Sequence, residues 1–312
     1  MLNLSNFESL LITGANGFVG RSVFEKILSL ETPKLPKKII LLTHNGIDFE
    51  IPDKLSSITT VQKHDLTKPW FFDFECTHII NLAADGSRSP YSEEANTTFK
   101  SIGKNLSEWL KSTNNKPQVF HASSGACFGY KSPSLEKSED IPKAGFIDSR
   151  LEVENLLISA SDSNRFNLSI GRLFTFSGNL LLKKNQYAIT DFVRSALETG
   201  KIKVTGNPET VRSYMHQEAM AAWILQSLIN PDGSIDLQIG ASEPVTVREL
   251  AEFVARQTNA DLDFAQNFGD GDIYVPDNNM TKTKLGLSEG LHWTLAVQEM
   301  ITAVRMEKDG TR

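Results

Sequence analysis

A glycine-rich run, Thr13-Gly14-Ala15-Asn16-Gly17-Phe18-Val19-Gly20, is the part of the chain whose spacing bears most directly on chemistry. It follows the apolar stretch Ser9-Leu10-Leu11-Ile12 and opens a segment in which Phe18, Val19, Val23, Ile27 and Leu30 recur at helical spacing. In that strand–turn–helix setting the three glycines have separate tasks. Gly14 permits a tight turn, Gly17 lets the backbone approach a pyrophosphate, and Gly20 lets the helix pack closely on the strand. The helix start adds unpaired N–H groups and a partial positive charge. The run predicts a dinucleotide site, with Gly14, Asn16, Gly17, Phe18, Val19 and Gly20 around the phosphates. An acidic residue closing the second strand would grip the adenosine ribose and favour NAD. That strand ends Leu42-Thr43-His44-Asn45, without a carboxylate. His44 beside a 2′-phosphate would favour NADP, whereas His44 as a surface loop residue favours neither, so NAD and NADP both stay open. Asp65, in His64-Asp65-Leu66 after the third strand, is placed to touch the adenine.

These residues need a sheet to position them, and the apolar pattern supplies one. Buried strands are predicted at residues 9–13, 39–42, 59–62, 78–82, 119–122 and 168–173, with helices at 18–30, 96–112 and 147–159. Strands apolar throughout, separated by amphipathic helices, imply a parallel sheet covered on both faces. The right-handed crossover rule makes it a doubly wound, Rossmann-type α/β fold. Beyond residue 174 the pattern loosens into helices at 189–198, 216–228, 247–256 and 295–304, with short strands at 202–205 and 236–239. The expected division is a dinucleotide-binding domain over 1–175 and a smaller C-terminal substrate lobe over 176–312, with chain crossings between them allowed. Its place is over the C-terminal edge of the sheet, where such folds bind ligands.

Composition narrows the classes. With 312 residues, 40% hydrophobic and 22% charged, the chain suits about two globular domains and is too apolar to be disordered. No apolar run approaches the roughly 20 residues that cross a bilayer, and Met1-Leu2-Asn3-Leu4-Ser5 lacks a secretory pattern, so the expectation is a cytoplasmic protein without a membrane partner. Lys plus Arg is 32 against 38 Asp plus Glu, a net charge of −6, which argues against a nucleic-acid partner. Cys76 and Cys127 stand far apart and form no metal-type cluster, so no metal is expected; both read as buried small hydrophobes in a reducing compartment.

Several further motifs follow in order: Asp65-Leu66; Asn81-Leu82-Ala83-Ala84; His121-Ala122-Ser123-Ser124-Gly125-Ala126-Cys127-Phe128-Gly129; Arg212-Ser213-Tyr214-Met215-His216; and Tyr274-Val275-Pro276-Asp277 with Leu285-Gly286-Leu287. Together with the glycine run, over nearly the whole chain, they resemble the extended short-chain dehydrogenase/reductases, in the nucleotide-sugar epimerase/dehydratase branch. The resemblance implies an NAD(P)-dependent epimerase, dehydratase or reductase acting on a nucleotide-activated sugar for surface polysaccharide. It implies that Asp65 and Leu66 meet the adenine and that Leu82, Ala83 and Ala84 lie beside the nicotinamide ribose. Ser124 then carries the catalytic hydroxyl, Arg212 holds the substrate diphosphate, and Tyr274 belongs to the substrate-lobe signature. A homodimer through the helices 96–112 and 147–159 is a further implication.

The chain departs from that family at the catalytic pair. Where the family carries Tyr-x-x-x-Lys, this chain reads Phe146-Ile147-Asp148-Ser149-Arg150, so Phe146 takes the tyrosine position and Arg150 the lysine position. A phenyl ring cannot exchange a proton, and losing such a group typically costs about 10²- to 10⁴-fold in rate. Arg150 keeps a positive charge and can bond ribose hydroxyls, through a planar fork rather than an ammonium. Three readings follow. Another group moves the proton, with Ser124 polarising the carbonyl and Tyr130, Asp148 or His121 as titratable neighbours. Alternatively, the protein binds nucleotide without catalysis, or substrate or water supplies the proton. Thr175 stands where the family has a substrate-contacting asparagine and Ala219 where it has an aspartate; Tyr187 and Arg194 are weaker substrate candidates.

Overall fold

The computed structural model describes residues 2–72, 74–128, 141–163, 166–183, 187–230, 232–266 and 271–309. Its centre is a seven-stranded sheet. Six strands come from the first part of the chain: β1 (Leu10–Thr13), β2 (Ile39–Thr43), β3 (Thr59–Lys63), β4 (His78–Asn81), β5 (Gln118–Ser124) and β6 (Asn167–Leu173). With the strand Ser234–Ile239 at one edge, the order runs Ser234–Ile239, β6, β5, β4, β1, β2, β3. Every pairing from β1 to β6 is parallel. All residues of β1 and β2 are buried, as strands covered on both faces must be. At the outer edge β3 reads Thr-Thr-Val-Gln-Lys and is half exposed.

The chain reverses direction across the sheet between β1 and β4, since β2 lies on one side of β1 and β4 on the other. Such a switch point opens a crevice at the C-terminal strand ends, where α/β sheets bind ligands. The glycine run, Leu82–Ala84 and Ser124 follow or end β1, β4 and β5, so the topology brings them to that one edge.

Four helices complete this part: α1 (Phe18–Leu28), the short α2 (Asp53–Ser56), α3 (Glu93–Ser112) and α4 (Ile141–Asp162). Leu11, Ile79, Val119 and Ile170 from the sheet share one core with Phe99, Ile102 and Leu106 of α3 and with Val153 and Leu157 of α4. Ser92 caps α3 by accepting from the Ala95 amide at 3.2 Å. Where α3 meets α4 the contact is tight: a Cβ on Gly103 would lie 2.4 Å from Val153 Cγ1.

Two elements differ from the sequence expectation. The seventh strand comes from chain beyond residue 174, where Ser234-Ile235-Asp236-Leu237-Gln238-Ile239 buries Leu237 and Ile239 but leaves Ile235 and Asp236 in water. A strand half wet and at the edge lacks the all-apolar signature of its neighbours. Helix α4 starts at Ile141, six residues before the expected 147, which puts Phe146 inside the helix rather than at its threshold.

Chain contacts define two compact units: Met1–Cys127, Glu139–Leu173 and Ala221–Leu237 form one, and Phe128–Ser138, Phe174–Met220 and Gln238–Arg312 the other. In the second unit Val211–Arg212 is flanked by Val245–Thr246 and Ile273–Tyr274 in a small sheet, and Lys201–Val204 pairs in parallel with Asp261–Phe264. Helices Ala188–Thr199, Val247–Thr258 and Trp293–Lys308 pack on one another there. Among the described residues no helix is long and apolar enough to cross a membrane.

The α3–α4 contact yields a direct test. Gly103→Val forces a branched side chain against Val153 and is expected to lower stability by about 1–3 kcal/mol, the usual cost of overpacking, as read from urea unfolding followed by circular dichroism.

Candidate active site

The end of β1 is tied to the end of β4 by a chain of hydrogen bonds through Thr13. Its Oγ1 accepts from the Leu82 and Ala83 amides at 3.0 and 3.2 Å and donates to Asn81 Oδ1 at 2.8 Å. Asn81 Nδ2 then donates to His121 Nδ1 on β5 at 2.9 Å, leaving the ring proton on Nε2. The glycine run starts at this bracket. Gly14 has φ +69°, and a Cβ there would lie 2.9 Å from the Leu82 carbonyl carbon. At Gly20 a Cβ would come within 2.4 Å of the Gly14 oxygen, so a side chain would push α1 off β1. Gly17 is the N-cap of α1, and the first turn of that helix holds no acidic residue to compete for an anion. Residues Phe18 and Val19 begin the helix itself.

Asn16 serves the loop after β2: its Nδ2 donates to the Gly46 carbonyl at 2.9 Å and its Oδ1 accepts from the Asp48 amide at 3.2 Å. His44, in that same loop, is exposed. Asp65 accepts from the Thr67 hydroxyl at 2.7 Å and the Thr67 amide at 3.0 Å. Those bonds, with lesser help from His44 and Lys68, hold its carboxyl below the ordinary aspartate range. Leu66 is buried beside it, and Ala83 is buried while Ala84 is exposed.

A second cluster joins the end of β5 to α4. Ser124 accepts from the Ala126 amide at 3.2 Å, which leaves its own hydroxyl proton for another acceptor. Its neighbour Ser123 donates to Glu154 Oε1 at 2.5 Å. Arg172 on β6 clamps the same carboxylate through Nε at 3.1 Å and Nη2 at 2.6 Å. This buried knot fixes the β5 end against α4 and had no signal in the sequence beyond the residue types. Cys127, expected to be fully buried, is only partly so, and contacts Ser123 Oγ at 3.7 Å; Cys76 is buried, which pushes its thiol up to about 12.

Arg150 is 7% exposed and lies between two rings, with its guanidinium carbon 3.9 Å from the centroids of both Phe99 and Phe146. Its Nη1 donates to Asn96 Oδ1 at 3.1 Å and to Ser149 Oγ at 2.8 Å. Among the described residues its Nε and Nη2 meet no hydrogen-bond acceptor. Burial pulls the guanidinium down to about 10, partly offset by the Cys127 thiol and the Tyr91 phenol, so it is still charged at neutral pH. Tyr91, which spacing did not single out, places its ring against Phe146 at 5.4 Å between centroids and 64° between planes.

The other proposed proton groups stand apart from this cluster. His121 is 1% exposed, with Nε2 unpartnered among the described residues, and desolvation drives its imidazole down to about 4. Asp148 is exposed, two residues and about 200° around α4 from both Phe146 and Arg150. Tyr130 lies outside the described residues.

In the second unit Arg212 and Tyr274 sit opposite each other in paired strands, the guanidinium 5.7 Å from the tyrosine ring. Arg212 Nη2 bonds both oxygens of Asp272, at 3.2 and 3.1 Å. Phe174 packs on Tyr274 at 4.7 Å between centroids. The Thr175 hydroxyl donates to the Ser213 carbonyl, which ties Thr175 to the segment after Arg212. Tyr187 is exposed at the N-cap of the helix Ala188–Thr199. Arg194 spends Nε and Nη2 on the Leu182 carbonyl and pairs with Glu198 and Glu307.

A doubly wound sheet with a glycine cradle at its switch point defines a dinucleotide-binding class of fold. The family model for NAD dependent epimerase/dehydratase proteins matches residues 10–240, and the chain belongs to that family. No curated protein matches its sequence. Similar solved structures include a UDP-N-acetylglucosamine 4-epimerase from Methanobrevibacter ruminantium in complex with UDP-N-acetylmuramic acid, with 17% identity, TM-score 0.77, and coverage of 98% of this chain and 100% of the other. Another is the Bordetella bronchiseptica enzyme WbmF in complex with NAD+, with 14% identity, TM-score 0.76, and coverage of 99% and 94%. A third is the Thermus thermophilus UDP-glucose 4-epimerase complex with NAD, with 18% identity, TM-score 0.73, and coverage of 95% and 99%.

His121 and His78, the latter also held at about 4 by burial, make stability depend on pH. Their folded pKa lies below the ordinary 6.5, so the unfolded chain binds the extra protons. Stability is therefore expected to fall as pH drops from about 6.5 toward 4, by up to about 1.4 kcal/mol per pH unit for each ring. In urea titrations at several pH values His121→Asn should be less stable throughout but show a shallower pH slope; an unchanged slope would contradict the assignment.

Proposed function

We propose that the protein is an NAD-dependent enzyme that passes hydride to and from a nucleotide-activated sugar, as an epimerase or dehydratase does. The single observation that carries this reading is the cradle at the switch point, where Gly14 and Gly20 leave no space for a side chain. It suits a pyrophosphate: a Cβ at Gly14 or Gly20 would meet backbone, and α1 starts at Gly17 with no carboxylate in its first turn to compete for an anion. Similar structures hold NAD in the same fold, and others hold UDP-sugars.

In this reading Gly14 to Gly20 bind the diphosphate, and Asp65 and Leu66 meet the adenine. Leu82, Ala83 and Ala84 line the nicotinamide ribose, and Arg150 offers Nε and Nη2 to its hydroxyls. When bound, NAD supplies the hydride acceptor. Ser124 donates its remaining proton to the sugar oxygen and polarises that C–O bond. Phe146 takes the place of a proton-exchanging tyrosine and does no proton chemistry itself. In the second unit Arg212 is the group for an anionic diphosphate, provided it exchanges Asp272 for the ligand, with Tyr274 beside it. Phe146 touches the Arg150 guanidinium and the Tyr91 ring rather than apolar side chains alone, which supports an enzyme over a mere binding protein.

Protein purified gently and then denatured is expected to release NAD or NADH, identified by mass and absorbance. Tight retention would fit a cofactor recycled within one catalytic cycle. The Gly17→Val variant, whose Cβ would meet nothing nearer than Gly14 O at 3.2 Å, should come out empty and bind added NAD at least about tenfold more weakly, while keeping its circular dichroism. Wild-type protein that releases no dinucleotide and binds neither NAD nor NADP would overturn the reading.

A further inference from the structure

We infer that Tyr91 exchanges the substrate proton in place of the missing phenol at position 146. The inference rests on the enzymatic reading above. Moving hydride off an alcohol carbon obliges the oxygen to lose a proton, and Phe146 cannot take it. Among the described residues, the other polar groups close to Phe146 are already engaged. The Ser149 hydroxyl has its one proton within reach of Phe146 O at 2.7 Å and Asn96 Oδ1 at 3.1 Å and accepts from Arg150, so it is occupied. Cys127 contacts Ser123, and burial pushes its thiol up. His121 is sealed in the sheet and Asp148 faces away. Tyr91 is 41% exposed, lies edge-on to Phe146, and acts electrostatically on Arg150.

Local sequence fixes that position. Ser92 is the N-cap of α3, so Tyr91 is the residue just before the cap, held by its amide to Ser89 Oγ at 3.3 Å. One turn into α3, Asn96 reaches Ser149 and Arg150. The same helix start therefore delivers both Tyr91 and Asn96 to the second and third turns of α4. The Phe146 ring is flanked by the Tyr91 ring on one contact and the Arg150 guanidinium on another, so a fixed positive charge stands near the phenol as its oxygen becomes negative.

The chemistry balances without another reactant. Tyr91, open to water, first gives its own proton to solvent; with NAD+ bound, the substrate O–H proton would then pass to that oxygen as the C–H electron pair leaves as hydride and a C=O bond forms. In the return step hydride re-adds to carbon and Tyr91 Oη gives its proton back.

Tyr91→Phe removes one oxygen and keeps the ring, so a packing role would leave it silent. The protein, loaded with NAD+, would be mixed with UDP-glucose, UDP-N-acetylglucosamine and dTDP-glucose, and reduction followed by the absorbance of bound NADH. The variant is expected to reduce about 10²- to 10⁴-fold more slowly, with bound NAD content and KM little changed. Adding Phe146→Tyr to it should restore most of the rate. Independently of turnover, nitration by tetranitromethane, mapped by mass spectrometry, should mark Tyr91 in the free protein and spare it with NAD+ and UDP-glucose bound. A variant as fast as wild type overturns the inference and leaves the enzymatic reading standing. A slow variant that Phe146→Tyr does not restore, with nitration indifferent to ligand, overturns it as well. Wild-type protein that holds NAD+ but never reduces it with any of the three sugars removes both.

Discussion

One hydroxyl, that of Thr13, holds the ligand-facing edge of the sheet in register. It receives two amides from the turn after β4 and hands its proton to Asn81, which in turn bonds His121. Three neighbouring strands thus end at a common level, and the groups that follow them emerge side by side. Backbone pairing within the strands cannot do this, because the ladder stops where the turns begin. An unpaired amide at Leu82 or Ala83 would be costly in so dry a place, and Thr13 meets both. The geometry of the glycine turn is set by the same bracket, since Gly14 packs directly on the Leu82 carbonyl.

Two buried charges near Ser124 are stabilised in different ways. Glu154 lies in a bidentate clamp from Arg172 with a serine hydroxyl added, so nearly all its capacity is met by full hydrogen bonds. Arg150 has no carboxylate partner among the described residues. Two aromatic faces and two neutral oxygens stand in for one, an arrangement suited to a flat, weakly hydrated guanidinium and poorly suited to a compact ammonium. The phenyl ring at 146 and the guanidinium at 150 therefore fit each other as a pair. The incomplete satisfaction of Arg150 leaves donors to offer, whereas Glu154 and Arg172 are structural.

Much of the architecture was legible because its causes are local. Six strands and the long helices follow from short apolar runs and helical periodicity, and the glycine turn from steric limits that act over a few residues. What escaped depends on contacts across long separations. The strand Ser234–Ile239 joins β6 although its wet face disguises it. Tyr91 meets Phe146 only because α3 packs on α4, fifty-five residues apart in the chain. Arg212 reads from sequence as a clamp for a substrate diphosphate, and Asp272, sixty residues on, is its partner in the fold. Thr175 carries a hydroxyl suited to a ligand but turns it onto Ser213. Asn16 reads from sequence as a phosphate neighbour, and in the fold its amide staples the loop after β2. In each case the residue type was visible and its partner was not.

The seam between α3 and α4 carries an evolutionary consequence. Hydrogen fills the α3 side at position 103 and a branched side chain fills the α4 side at position 153, so the two share one fixed volume. Neither position can drift alone without opening a void or a clash. In related chains that keep this helix spacing, a larger residue at the first should accompany a smaller one at the second. The two sites then behave as one hereditary character, although they stand fifty positions apart in the chain.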